Sequence, residues 1–149
     1  MITIKDCNIF DNKFNVVINP VNCDGVMGAG LAKRFKEKYP DMYEDYRKQC
    51  INKRLLIGKL HVYRVNENLT IINFPTKDSW RENSKYEYIL KGLKELNKYL
   101  ISSDKRLSVG IPALGCGLGG LEFLAVSYLI SRELNNCKQN ITLIKPKEE

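Results

Sequence analysis

The chain has 149 residues, 44% of them apolar and 28% charged, which fits one globular domain able to bury about two-thirds of its unfolded surface. Lysine and arginine total 24 against 17 acids, and the net charge of +7 favours polyanionic partners without defining a site. Five cysteines in no C-x-x-C pair and a single histidine argue against a metal site or a disulfide framework, and no apolar run reaches membrane-spanning length, so a soluble cytoplasmic protein without a membrane partner is expected.

Residues 2–5 alternate like a strand, and residues 15–18 form a β-branched run that Asn19 and Pro20 should end, because proline cannot donate to a ladder. The turn Gly25-Val26-Met27-Gly28-Ala29-Gly30 follows. Leu31, Ala32, Phe35 and Tyr39 then recur at helical spacing until Pro40 breaks the pattern, and residues 41–50 start a second helix. Residues 60–65 and 69–74 read as antiparallel neighbours joined by the polar turn Asn66-Glu67-Asn68.

Ser84-Lys85-Tyr86-Glu87 has the form of a capping box, and Tyr86, Ile89, Leu90, Leu93, Leu96 and Leu100 line one face of a long helix. A strand at 107–111 leads to a second glycine turn, Gly115-Cys116-Gly117-Leu118-Gly119-Gly120. After it come a helix at 121–134, a strand at 141–145 and the charged tail Lys145-Pro146-Lys147-Glu148-Glu149. Strands alternating with helices imply a largely parallel sheet covered on both faces, with ligands gathered at the carboxyl ends of its strands.

Both glycine turns fall at such ends. Backbone N–H groups exposed there, at the start of a helix, suit an anion, so two turns predict a diphosphate gripped from both sides. Gly115, Gly117 and Gly120 satisfy G-x-G-x-x-G, but no acid stands about 20 residues later and no second mononucleotide half follows, which weakens a dinucleotide reading. Leu121 and Glu122 stand where a Walker loop needs lysine and serine or threonine, so phosphoryl transfer is disfavoured. Cys116 has two readings, a thiolate activated by a helix N-terminus or a small residue filling a tight turn, and the second is favoured.

Three ordered segments carry a family resemblance: Asn19-Pro20-Val21-Asn22-Cys23 with the first glycine turn and Leu31-Ala32; Asn73-Phe74-Pro75-Thr76-Lys77-Asp78-Ser79-Trp80-Arg81; and Ala113-Leu114 with the second turn. Together they resemble macrodomains, above all the DarG-type antitoxin branch and its relative, the animal terminal ADP-ribose glycohydrolase. The resemblance implies a single macrodomain over 1–149, an α/β protein with three α/β/α layers around a mixed, largely parallel sheet. It also implies an ADP-ribose cleft and removal of ADP-ribose from a modified acceptor without a cofactor.

Carried over by position, the resemblance makes Lys77 the catalytic lysine, forming a transient lysyl-sugar adduct at C1 of the distal ribose. Asn22 becomes a partner of that ribose, Met27, Gly28, Gly30 and Leu31 belong to the first ligand loop, and Gly115, Cys116, Gly117, Leu118, Gly119 and Gly120 hold the diphosphate. Asn8, Ile9, Thr76, Trp80, Pro112 and Leu114 complete the implied ligand set. Read without the family, Asn22 is equally a turn former, Lys77 one more surface lysine, and Trp80 a packing residue. Trp80 and Arg81 would otherwise flank the acceptor.

Two departures stand out. Gly119 occupies the place of an aspartate that assists the lysine in the animal relative, leaving Glu122 as the nearest acid. Cys7-Asn8-Ile9 replaces a Gly-Asp-Ile whose acid meets adenine, with Asn8 and Asp6 competing for that contact. The expected function is an ADP-ribosyl glycohydrolase acting on ADP-ribosylated single-stranded DNA, at a thymidine base, as antitoxin to a cognate ADP-ribosyltransferase toxin. Open alternatives are hydrolysis of ADP-ribose 1''-phosphate, O-acyl-ADP-ribose or ADP-ribosylated protein carboxylates, and a reader that binds ADP-ribose without chemistry.

Overall fold

In β2 (Val16–Asn22), consecutive residues Val16, Val17 and Ile18 are all buried, so the strand needs cover on both faces. The computed structural model, which describes residues 2–11 and 13–147, supplies it; Glu148 and Glu149 of the expected tail lie outside the described residues. The remaining elements are β1 (Ile2–Lys5), α1 (Gly30–Lys38), α2 (Pro40–Ile51), β3 (His61–Asn66), β4 (Leu69–Lys77), α3 (Tyr86–Ile101), β5 (Ser108–Ile111), α4 (Phe123–Glu133) and β6 (Asn140–Ile144). The six strands form one sheet in the order β1-β6-β5-β2-β4-β3, parallel throughout except for the β3–β4 hairpin.

Alternation along the strands divides the core in two. Ile18, Ile72 and Phe74 pack with Ile89, Leu93, Leu96 and Leu100 of α3 and with Val126 and Ile130 of α4. Val17, Val21 and Ile71 face the other way, against Phe35 of α1 and Met42 and Tyr46 of α2. Burying each such aliphatic side chain contributes about 1.5–3 kcal/mol relative to leaving it exposed. The result is the mixed, three-layer α/β/α arrangement that the sequence implies.

Several local expectations need correction. β2 does not stop at Pro20; it continues to Asn22, with Pro20 opposite Phe74 and Val21 opposite Pro75. The reason is uneven pairing. β5 pairs with β2 only at Val16 and Val17, and β3 pairs with β4 only as far as Asn73. Both prolines lie where their strands have lost one neighbour, so neither removes a needed ladder bond. The hairpin turn is shorter than expected, since Asn66 already pairs with Leu69.

The capping box does not form. Lys85 is the N-cap of α3 and makes no side-chain cap bond. Ser84 instead gives its backbone N–H to the Gly119 carbonyl at 3.0 Å, and its buried Oγ has no partner among the described residues. Tyr86 leaves the apolar face, being exposed, and its hydroxyl accepts from the Glu122 N–H at 3.1 Å. His61 is structural: its Nδ1 accepts from Asn73 at 2.9 Å, and its Nε2 meets Asp45 at 2.7 Å.

Candidate functional site

The carboxyl ends of the five mutually parallel strands open into one cleft of about 770 Å³. Each end delivers part of the wall. β1 leads to Cys7, Asn8 and Ile9; β2 to Asn22 and the first glycine turn; β4 to Thr76, Lys77 and Trp80; β5 to Pro112 and the second turn; and β6 to the segment from Ile144 to Lys147. Parallel pairing is the cause, because it brings every strand-to-helix connection to the same edge of the sheet.

Two walls are suited to an anion. α1 begins at Gly30 with no side-chain cap and no acid in its first turn, which leaves its leading N–H groups free, and Gly28, Ala29, Gly30 and Leu31 bring them to the cleft. Opposite them, the backbone doubles back at Gly115, whose φ of +75° suits glycine, and Gly117 and Gly119 line the wall. Every charged residue on the lining is a cation: Arg34, Lys77, Lys145 and Lys147, with no aspartate or glutamate among the described residues. A diphosphate therefore meets donors and positive charge along this lining.

Lys77 is the last residue of β4, partly buried, and its Nζ donates to the Leu118 carbonyl at 3.3 Å across the cleft. Trp80 is 53% exposed and Leu118 71% exposed at the same mouth, and the Arg81 guanidinium lies 5.1 Å from the Trp80 ring. Trp80 is thus no core residue. Asn22 acts as a turn former: its Nδ2 donates to the Val26 carbonyl at 2.8 Å, and its Oδ1 accepts from the Asp24 N–H and the Tyr46 hydroxyl, both at 3.0 Å. It stands on the cleft wall, so a ribose contact would add to that role. Asn8 likewise spends its Oδ1 on the Phe10 N–H at 3.0 Å.

Of the residues singled out from sequence, Asn8, Ile9, Asn22, Met27, Gly28, Gly30, Leu31, Thr76, Lys77, Trp80, Pro112, Gly115, Gly117, Leu118 and Gly119 line the cleft together. Leu114, Cys116 and Gly120 do not. Leu114 is fully buried in the core beneath the second turn, and Cys116 packs against that core, its Sγ 3.6 Å from the Leu114 carbonyl. Asp6 and Glu122 also lie off the lining; Glu122 is the N-cap of α4. The place of the animal relative's aspartate is closed here, since a Cβ on Gly119 would run into Ser84 Oγ and the Gly115 carbonyl.

Burial pushes the Cys116 thiol up from its ordinary 9.0 to about 11, with the Glu122 charge adding. Cys23 is raised to about 12 by burial and then by Asp78, Cys50 and Asp24. Neither is a thiolate at neutral pH. Between pH 9 and 11 the unfolded chain loses these protons while the folded chain keeps them, so stability, complete below pH 9, falls as pH rises. Urea midpoints should be flat from pH 7 to about 8.5 and drop above 9. The double substitution Cys23→Ser, Cys116→Ser should soften that drop; a wild-type midpoint unchanged to pH 10.5 would contradict the assignment.

Sequence reasoning missed Cys7, Arg34 and the stretch from Ile144 to Lys147 on the wall. The strand-end rule carried a signal for the last of these, since β6 is a parallel strand. Arg34 had none, because one cation in a basic helix does not reveal that it lines the cleft.

Comparison with known proteins agrees with this architecture. The family model described as Macro domain matches residues 18–130. A DNA ADP-ribosyl glycohydrolase from Mycobacterium tuberculosis is 40% identical over 126 residues, which cover 83% of this chain and 36% of that protein. The chain thus spans about a third of the length of such curated relatives. The solved macrodomain of Mycobacterium tuberculosis DarG is 35% identical, with a TM-score of 0.90 and 99% of each chain covered. Thermosipho africanus DarTG in complex with ADP-ribose is 30% identical, with a TM-score of 0.91, covering 99% of this chain and 42% of that one.

Proposed function

Since the chain belongs to the macro domain family, we propose that its cleft binds ADP-ribose and that Lys77 releases the sugar from a modified nucleobase in DNA. The observation that carries this reading is the joining, in one cleft with no acid among its described lining residues, of two N–H-rich turns and a primary amine. The diphosphate lies between the start of α1 and the second turn, which directs the distal ribose toward Lys77.

The unprotonated amine of Lys77 attacks C1 of that ribose. The bond from C1 to the base nitrogen breaks, its electron pair stays on the base, and the proton released by the amine goes to the departing base. Water then attacks C1 of the lysyl-sugar adduct, and the amine leaves with a proton. The net change is hydrolysis to free ADP-ribose and an unmodified base. The Leu118 carbonyl, 3.3 Å from Nζ, holds the amine across the mouth of the cleft, and covalent catalysis of this kind splits one hard step into two easier ones.

Support for a nucleobase acceptor comes from Trp80, an exposed indole lining the same cleft as the amine, with a guanidinium over its ring. Stacking on such a face is worth about 1–3 kcal/mol per base. The net charge of +7 would favour the DNA backbone, and the name of the Mycobacterium tuberculosis relative points the same way. In a cell the activity would oppose whichever ADP-ribosyltransferase installs the mark. Trp80→Ala should raise KM for an ADP-ribosylated oligonucleotide about 5- to 100-fold while leaving the affinity for free ADP-ribose intact. A KM unchanged by that substitution would remove the stacking role.

The test of the whole reading is release of ADP-ribose from three substrates in parallel: a modified single-stranded oligonucleotide, a modified protein carboxylate and ADP-ribose 1''-phosphate. The first should turn over fastest. Preference for either of the others would move the acceptor class, and binding without release from any of them would leave a reader.

A further inference from the structure

The segment from 78 to 85 is a strap that follows the proposed nucleophile, and it is fastened to both glycine turns. At one end Asp24, immediately before the first turn, accepts through a single carboxylate oxygen from the Ser79 hydroxyl at 2.9 Å and from the Trp80 backbone N–H at 3.1 Å. The neighbouring Cys23 N–H donates to the Asp78 carbonyl at 3.2 Å. At the other end Ser84 donates its N–H to Gly119 of the second turn at 3.0 Å.

Beyond the bond from its Nζ to the Leu118 carbonyl, Lys77 is held mainly through its backbone, and weakly. Its ladder partner is Asn22, reached after a register shift between Val21 and Asn22. On the other side of β4 the pairing with β3 ends at Asn73. The direction in which Lys77 and Trp80 leave the sheet is therefore set by what grips the strap, and the charge-assisted pair from Asp24 is the strongest grip at the near end. Asp24 is itself exposed, does not line the cleft and contributes little to the core.

We infer that Asp24 is a positioning residue: by fastening Ser79 and Trp80 to the ligand loop, it holds the Lys77 amine and the Trp80 indole at the cleft mouth in one fixed relation. This deepens the proposed hydrolysis and rests on it for its kinetic consequence. Its structural part stands independently. The sequence spacing hides the role, because Asp24 lies 55 and 56 residues from its partners.

The chain has a single tryptophan, Trp80, so its fluorescence reports on the strap whether or not any substrate turns over. In Asp24→Ala, acrylamide quenching of Trp80 should rise about twofold or more as the strap loosens on the nanosecond scale. Turnover of the modified oligonucleotide should fall ~10- to 100-fold, the size of loss expected when a reacting group is misplaced by about 1 Å. The calorimetric Kd for ADP-ribose should stay within about threefold of wild type, separating transition-state loss from ligand binding. Asp24→Asn, which keeps a carbonyl acceptor for both donors, should recover most of the rate.

The inference is overturned if quenching and kcat are both unchanged in Asp24→Ala, if ADP-ribose affinity falls in step with kcat, or if Asp24→Asn is as slow as Asp24→Ala. If wild-type protein releases nothing from any substrate, the hydrolysis reading fails, and the quenching comparison alone still decides whether Asp24 fastens the strap.

Discussion

Lys77→Ala should abolish release of ADP-ribose, by about 10³-fold or more in kcat, and leave the calorimetric affinity for free ADP-ribose within about threefold. The side chain is only partly buried and, among the described residues, makes one hydrogen bond, to the Leu118 carbonyl. Its removal leaves no buried group without a partner, apart from a carbonyl that water reaches, so the melting temperature should move little. Lys77→Arg is the sharper control. It keeps the positive charge and the reach to Leu118, but a guanidinium stays protonated and is no nucleophile. If lysine acts only as a cation, arginine restores activity; if it acts as an amine, arginine is as inactive as alanine.

Gly119→Ala should damage the cleft more than any other single methyl group added to it. A Cβ there runs into the Ser84 Oγ and the Gly115 carbonyl, and the second of these is backbone that cannot swing aside without opening the turn. The affinity for ADP-ribose should fall at least about tenfold, or about 1.4 kcal/mol, and thermal stability should fall with it. Gly117→Ala is the matched comparison, since nothing lies within 4 Å of its added Cβ; its stability should match wild type. Gly119→Asp should not restore the assisting carboxylate of the animal relative, because the same collision comes first. Higher affinity or faster turnover in that variant would show that the turn adapts and that the steric account is wrong.

The features most legible in the sequence were those set by short-range physics. The helical spacing of Ile89, Leu93, Leu96 and Leu100 gave the buried stripe of α3, and the position of each glycine turn just after an apolar run put both at strand ends. The fold and the cleft follow from these through the parallel sheet. Lys77 was legible only through family resemblance, since one lysine in a chain with 24 basic residues carries no signal by itself.

What was hidden depends on partners distant in sequence. Pro20 read as a stop because a proline's effect depends on whether a neighbour strand is still paired at that row; β2 loses β5 before Pro20, as β4 loses β3 before Pro75. Ser84 and Glu87 looked like a cap, but the backbone of Ser84 is claimed by Gly119 from another part of the chain. Asn22 serves as the turn former that a reading without the family also allowed, with Tyr46 of α2 closing the arrangement through a 2.6 Å bond to its carbonyl. At Pro20 and Ser84 the outcome was decided by strand neighbours and a distant backbone partner, and at Asn22 the local turn preference was kept and reinforced from α2.

The central claim, that an amine at the end of β4 bonds to the distal sugar, has a direct chemical test. Protein mixed with an ADP-ribosylated oligonucleotide is quenched with borohydride; when the ribose ring of the lysyl-sugar adduct opens at its C1–O4 bond, O4 taking the nitrogen's proton, the resulting imine is reduced to a stable secondary amine, and the modified peptide is located by mass spectrometry. The account predicts an ADP-ribosyl mass increment on Lys77, dependent on substrate and lost in Lys77→Arg. Release of free ADP-ribose with the increment on another residue, or with none formed at any quench time, would contradict it.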